Sequence, residues 1–318
     1  MKRLIFIFII FVALLGNIKA QQIPQLSFKH QNLILNNPAA VGSSVNNNLV
    51  VLHREQWVGF EHAPSTSFIS YNQSIGGRNG VGGYIISDRT FPTSRFIINA
   101  AYAYIIEMNE VSLSFGLSAL VMQYKFKSSD LTYRDLLDPS LEFNADQKWR
   151  PEANAGVMLY NSKFYVALSS SQMIQSDFKP YSSGLEGLIE NSRHFILSGQ
   201  YDIAFNEHTI SPGLYASYVK SSPFVVDASV QYNFNNSFYA SAGYRLGDAV
   251  NMTLGYRYDR FFLGYSFDLI ASSLRLASSS SHEVMLVVNL ASQQASSPVF
   301  GGSFGGRGKP SSELKRLF

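Results

Sequence analysis

Along residues 224–269 apolar and polar residues alternate one for one. Val250, Met252, Leu254, Tyr256 and Tyr258 fall on one side of the alternation, and Asn251, Thr253, Gly255 and Arg257 on the other. Phe238, Ala240, Ala242, Tyr244 and Leu246 repeat the pattern against Tyr239, Ser241, Gly243 and Arg245. A period of two belongs to a strand, whose successive side chains leave on opposite faces. Between the segments stand Asn235-Asn236, Gly247-Asp248 and Asp259, residue types that accept the positive backbone angles of tight turns. The stretch predicts a four-stranded antiparallel meander.

The same reading predicts strands at Leu49–Gln56, Thr66–Ile75, Val81–Asp88, Arg95–Glu107 and Val111–Phe126. Further strands follow at Glu152–Tyr160, Lys163–Gln172, Arg193–Phe205, Thr209–Val219 and, after the meander, His282–Leu290. Connections after the second, fourth, sixth, eighth, tenth and twelfth strands are short. Those after the first, third, fifth, seventh and thirteenth are long, residues 127–151 and 173–191 among them. In an up-and-down barrel these two sets lie at opposite ends, as the short periplasmic turns and longer extracellular loops of outer-membrane barrels do. The expectation is therefore an all-β transmembrane up-and-down antiparallel β-barrel of about 14 strands, with both termini in the periplasm. Val226, Ala228, Val230, Tyr232 and Phe234 would then meet outer-membrane lipid, while Asp227, Ser229, Gln231 and Asn233 face the lumen. A secreted soluble β protein is the competing class.

The amino terminus supports export. Lys2 and Arg3 precede an apolar run, and Asn17-Ile18-Lys19-Ala20 ends it on a small residue, the layout of a secretory signal peptide cleaved after Ala20. Cleavage takes Lys2, Arg3 and Lys19 from the 25 basic residues and leaves 22, equal to the 22 acidic ones. A neutral chain gives no reason to invoke nucleic acid. Charged residues are 15% of the chain, below the usual quarter of soluble domains, and aromatics are 14%. No apolar run after residue 20 is long enough for a spanning helix. The chain divides into a signal peptide at 1–20, a periplasmic N-terminal arm at 21–48, the barrel at 49–290 and a flexible Gly/Ser-rich C-terminal tail at 291–318.

The arm and first hairpin carry more specific runs. Residues 21–27 read QQIPQLS, 36–42 NNPAAVG and 53–59 HREQWVG, followed by Ala63-Pro64-Ser65-Thr66; near the end come Gly264-Tyr265-Ser266-Phe267-Asp268 and Ser281-His282-Glu283. In this order they resemble the PorP/SprF family of type IX secretion system outer-membrane proteins of Bacteroidetes, with Leu26 standing where that family usually has an aromatic. The resemblance spans nearly the whole mature chain. It implies a non-enzymatic barrel of the secretion and gliding machinery that supports secretion or surface anchoring of cargo such as adhesins. The implied partners are periplasmic ring and peptidoglycan-linked components of the secretion system. It singles out Asn37, Pro38, Gly42, Arg54, Gln56, Trp57, Pro64, Thr66, His282 and Glu283 as signature positions that act as scaffold or touch a partner. An outer-membrane diffusive pore or small-solute transporter is the alternative, since a wall of this size encloses a lumen.

Physical expectations attach to some of these positions. Pro38 fixes its own backbone and restricts Asn37, so residues 36–42 should form a rigid turn. Arg54 and Glu55 point to opposite faces, and one of them should enter the lumen and pair with a carboxylate of another strand. Trp57 should sit at the outer end of the first strand, at the interface or folded into the mouth. No phosphate-binding Gly loop, G-x-S-x-G or His-Glu-x-x-His run is present, and no catalytic residue, metal or cofactor is expected. His53 and His62 could meet near the mouth as a metal pair, and Asp135, Asp138, Glu142 and Asp146 could hold calcium, but polar loops are the simpler reading of both.

Overall fold

The structure, a computed structural model, describes residues 24–43, 48–126, 149–178, 189–220, 222–272 and 280–290. The expected signal peptide, residues 291–318, and the loop carrying Asp135, Asp138, Glu142 and Asp146 lie outside the described residues.

Fourteen antiparallel strands form one closed barrel. They are β1 (Asn48–Glu55), β2 (Ser65–Ile75), β3 (Asn79–Thr90), β4 (Thr93–Glu107), β5 (Ser112–Phe126), β6 (Trp149–Tyr160) and β7 (Phe164–Ser171). Then come β8 (His194–Tyr201, continuing as Ile203–Phe205), β9 (His208–Val219), β10 (Val225–Phe234), β11 (Phe238–Arg245), β12 (Ala249–Tyr258), β13 (Phe261–Ile270) and β14 (Ser280–Asn289). Each pairs with its neighbours in sequence, and β1 closes on β14 with Asn48 opposite Asn289 and Glu55 opposite His282. Closure matters because lipid cannot satisfy the backbone groups of an open sheet edge. The interruption of β8 at Asp202 has a local cause. Pro212 stands in the facing strand and has no N–H to donate, so the pairing stops at Gln200–Gly213 and resumes at Ile203–Ile210.

Burial is inverted relative to a soluble protein. On β12 Met252, Leu254 and Tyr256 are exposed while Asn251 and Thr253 are buried; Leu254 and, on β5, Leu117 are each 67% exposed. Asp227, Gln231 and Asn233 of β10 are buried, and Ala228, Val230 and Tyr232 are exposed. On these strands the apolar face thus turns outward to lipid and the polar face inward, as the alternation predicts.

Two expectations need correction. The connection after β3 is only Phe91-Pro92, because β3 and β4 run on past their expected ends until Thr90 faces Thr93. Polar strand ends there pair with each other and leave little to form a loop. The second correction concerns the arm. Residues 24–43, expected beneath the barrel, lie inside it. Leu26, Phe28, Ile34, Leu35 and Val41 form one buried cluster with inward residues of the wall, among them Leu52, Phe68, Ile86, Met122, Phe262 and Met285. An arm so rich in apolar side chains loses unfavourable contact with water by entering a lumen that presents matching apolar positions. The only helices among the described residues are here, a four-residue turn α1 (Leu33–Asn36) and a 3-10 turn (Pro38–Ala40).

Candidate functional site

The arm meets the wall in two ways. Its outer part is held by charge and hydrogen bonds, Ser27 to Lys29 near the ends of strands that lead into the extracellular loops, and His30 and Gln31 by tyrosines near the starts of β7 and β11. Glu283, three residues into β14, accepts the backbone N–H of Ser27 at 2.8 Å on one carboxylate oxygen and that of Phe28 at 3.1 Å on the other. Asp268, near the end of β13, accepts the Ser27 hydroxyl at 2.7 Å. The same two carboxylates hold Arg54 of β1, at 2.8 Å to Asp268 and 3.1 Å to Glu283. Arg54 is 2% exposed and Glu283 0%. The alternation of β1 left open which of Arg54 and Glu55 enters the lumen; it is Arg54, paired with carboxylates of β13 and β14.

Lys29 reaches Asp227 of β10 at 2.5 Å and lies over the Tyr215 ring, 4.7 Å from its centroid. Arg245 of β11 binds Asp248 at 3.0 Å and stands 3.4 Å from Asp227. Burial lowers the Lys29 ammonium from 10.5 to about 8, and nearby Arg245 pushes the same way against the pull of Asp227. At neutral pH Lys29 therefore remains charged. His30 shares a hydrogen bond with the Tyr165 hydroxyl, and burial lowers its imidazole to about 4, so it is docked neutral. Gln31 donates to the Tyr239 hydroxyl at 2.6 Å.

The inner part, Asn36 to Gly42, is held by close backbone approach. The Asn37 side chain caps the 3-10 turn by accepting from Ala39 N–H at 2.8 Å, and it donates to the carbonyls of Val157 and Leu168 at 3.2 and 3.1 Å. Pro38 opens that turn, where its missing N–H costs nothing. Wall hydroxyls complete the backbone bonding, Ser169 donating to Asn36 O at 2.5 Å and Ser114 to Ala39 O at 2.7 Å. This approach requires glycine in the wall. A Cβ on Gly116 would stand 2.1 Å from Ala39 N, one on Gly156 2.0 Å from Asn37 Oδ1, and one on Gly80 2.0 Å from Val41 O. Gly42 answers Gly80 from the arm with φ +73°, a backbone angle that other residues resist.

The other signature positions brace the outer rim or face lipid. Gln56 N–H donates to Pro64 O at 2.8 Å and closes the loop after β1. Trp57, at φ +58°, donates its N–H to the Ser281 hydroxyl, so the loop is fastened to β14. Thr66 donates to Asp88 at 2.7 Å inside the lumen, where Asp88 also binds Arg95. His282 faces outward and pairs with the Tyr265 hydroxyl at 2.6 Å. His53 bonds Ser67 and Glu55, and His62 stacks on Phe91, so the two histidines have separate partners.

Lys29, Asp227 and Arg245 belong to none of the sequence motifs, and Asp268, the last residue of the Gly264–Asp268 run, was given no role there. For the wall a signal exists in retrospect. All three wall residues are charges on the inward face of a strand, where charge is worth explaining, whereas Lys29 stands in the mixed run Ser27-Phe28-Lys29-His30-Gln31, which carries no such signal.

A closed antiparallel barrel with lipid-facing apolar residues and a lumen filled by its own amino-terminal arm is an outer-membrane barrel protein. Residues 18–288 match the family described as "Type IX secretion system membrane protein PorP/SprF", and the chain belongs to that family. No curated protein matches the chain. Among solved structures, the CymD monoaromatic hydrocarbon channel is similar with a TM-score of 0.50 at 11% identity, covering 86% of this chain and 95% of that one. A FadL homologue of Pseudomonas aeruginosa gives 0.48 at 11% identity, with 80% and 93% covered. The TodX toluene transporter of Pseudomonas putida gives 0.47 at 11%, with 84% and 98% covered. At such identity the likeness is one of fold alone.

Proposed function

We propose that this outer-membrane barrel supports secretion or surface anchoring of cargo, such as adhesins, by the type IX secretion machinery. Periplasmic ring and peptidoglycan-linked components would be its partners at the inner end. The observation that carries this reading is the family match across residues 18–288. The occupied lumen agrees with it. Solutes diffusing through a pore would need the space in which Ser27 to Gly42 is packed against β3, β5, β6, β13 and β14, so the alternative of a diffusive pore loses support. Comparing the secreted and surface-exposed proteins of a deletion strain with its parent tests the proposal. Selective loss of particular cargo is the expected result, and an unchanged set overturns it. In planar bilayers the purified full chain should show little conductance, and a steady open pore would restore the alternative.

A further inference from the structure

The outer part of the lumen recognises a short stretch of polypeptide by four separate means. Glu283 takes two consecutive main-chain N–H groups with its two oxygens, which reads backbone irrespective of side chain. Asp268 takes a hydroxyl. The ring of Phe28 occupies the space over Gly264, where a Cβ would come within 2.7 Å of it. Asp227 and the face of Tyr215 take an ammonium. These groups stand on β9, β10, β13 and β14, so they are held in place by the sheet rather than by the arm.

Two further facts bear on what fills this place. The wall supplies two cations, Arg54 and Arg245, against three buried carboxylates, Asp227, Asp268 and Glu283, and Arg245 also serves the half-exposed Asp248, so the buried set has a surplus of negative charge that a positively charged occupant offsets. The arm's own fit is incomplete. Arg245 is 3% exposed, yet its Nη2 has no hydrogen-bond partner among the described residues, and Gln25 Oε1 and Asn32 Oδ1 of the arm are likewise buried without partners. Unused donors and acceptors of this kind weigh against the docked state, and a differently shaped segment could use the Arg245 donor. A buried ion network is also poor at adding stability compared with apolar packing, and is better suited to specificity.

We propose that this part of the lumen is a receptor for a hydroxyl–aromatic–cation segment, filled in cis by Ser27-Phe28-Lys29 and filled in trans by such a segment of a secreted protein. The proposal rests on the reading of the chain as a cargo-handling barrel. Exchange involves only the outer part of the arm; the inner part stays locked against Gly80, Gly116 and Gly156. The partner segment is defined by its chemistry, an extended run with Ser or Thr, then an aromatic residue, then Lys or Arg.

The test uses the purified full-length barrel and a fluorescent peptide copying residues 25–32. A Phe28→Ala/Lys29→Glu variant empties the ring space and repels the arm from Asp227, while Lys29→Met alone is a milder form. Retention of the barrel is checked by the shift in gel mobility between unheated and heated samples. The peptide should bind either variant at least about tenfold more tightly than it binds the wild type. Replacing the peptide's lysine with glutamate, or adding Gly264→Leu to the wall, should remove that gain. Equal binding to wild type and to whichever variant folds, or indifference to the lysine, overturns the proposal. Cargo loss in the deletion strain without peptide binding would leave the secretion reading standing and remove this site. Peptide binding with an unchanged set of secreted proteins would keep the site and remove the secretion reading.

Discussion

The two parts of the docked arm are held by different physics. Around Asn37 to Gly42 the wall has given up side chains, and glycines at 80, 116 and 156 let backbone lie against backbone. Around Ser27 to Lys29 the wall has kept large charged side chains and meets the arm through them. Steric fit of the first kind falls off over fractions of an ångström and is indifferent to salt and pH. Charge pairing of the second kind tolerates small movements but depends on every partner being present. One half of the arm is therefore locked by shape, and the other is held by balance.

This contrast can be broken from either side. Because the chain has no cysteine, a single Gln25→Cys reports on the outer part and Ser43→Cys on the inner part, through their rates of maleimide labelling. The largest effect is expected from Arg54→Met, which leaves Asp268 and Glu283 buried without their guanidinium. Removing one partner of such a group costs about 3–5 kcal/mol. The outer cysteine should label far faster and the temperature of the gel-mobility shift should fall.

Next comes Gly116→Ala. Its methyl has no room beside Ala39, and overpacking of this kind costs about 1–3 kcal/mol. Here the inner cysteine should respond and the outer one much less. Equal responses of both cysteines to both substitutions would mean that the arm docks as one unit and that the contrast is false.

A change of pH should separate the halves more gently. Docked His30 holds its imidazole near 4, whereas a released one titrates near 6.5. Between those values the released arm binds the extra proton, so docking is fully supported above about 6.5 and weakens as pH falls toward 4. The groups facing His30 are Tyr165, Asp227 and Lys29. Because the thiolate is the reacting form and becomes scarce on acidification, each rate is taken relative to a denatured control at the same pH; on that scale outer labelling should rise on acidification while inner labelling stays level. The smallest effect is expected from Ser114→Ala, which removes one hydrogen bond to Ala39 O and should cost about 1 kcal/mol, seen only at the inner cysteine.

How much of this could be read from the sequence follows the same division. The wall was legible because alternation and turn chemistry are local. Met252 and Leu254 announce an outward face, and Asn235-Asn236 a turn, without reference to anything distant. Arg54 was legible in part: a charge on the inward face must find an opposite one, but alternation alone did not say whether Arg54 or Glu55 was the inward residue. The place of the arm was not. Gly80, Gly116 and Gly156 look like ordinary strand glycines until the arm is set against them, and Leu26, Phe28 and Ile34 follow no period that points to a partner. The pairing of Lys29 with Asp227 joins residues 198 positions apart, which no local pattern encodes. The short turn at Phe91-Pro92 escaped for a related reason, because polar strand ends resemble loop until their pairing is known.

The bond from Ser27 to Glu283 joins positions 256 apart, a separation that exceeds the span of the barrel from Asn48 to Asn289, and Glu283 lies on the strand that closes against β1. The arm leaves the ribosome before the wall does, but its acceptor stands on the last strand of the barrel. Contacts of such separation form late, after the entropy of closing the long loop has been overcome. Arg54 on β1 and Glu283 on β14 also face each other across the closing seam, with the arm bonded to Glu283. Sealing the wall and seating the arm thus share the same residues, and the finished barrel carries, in a segment made before any of its strands, a marker that its last strand has arrived.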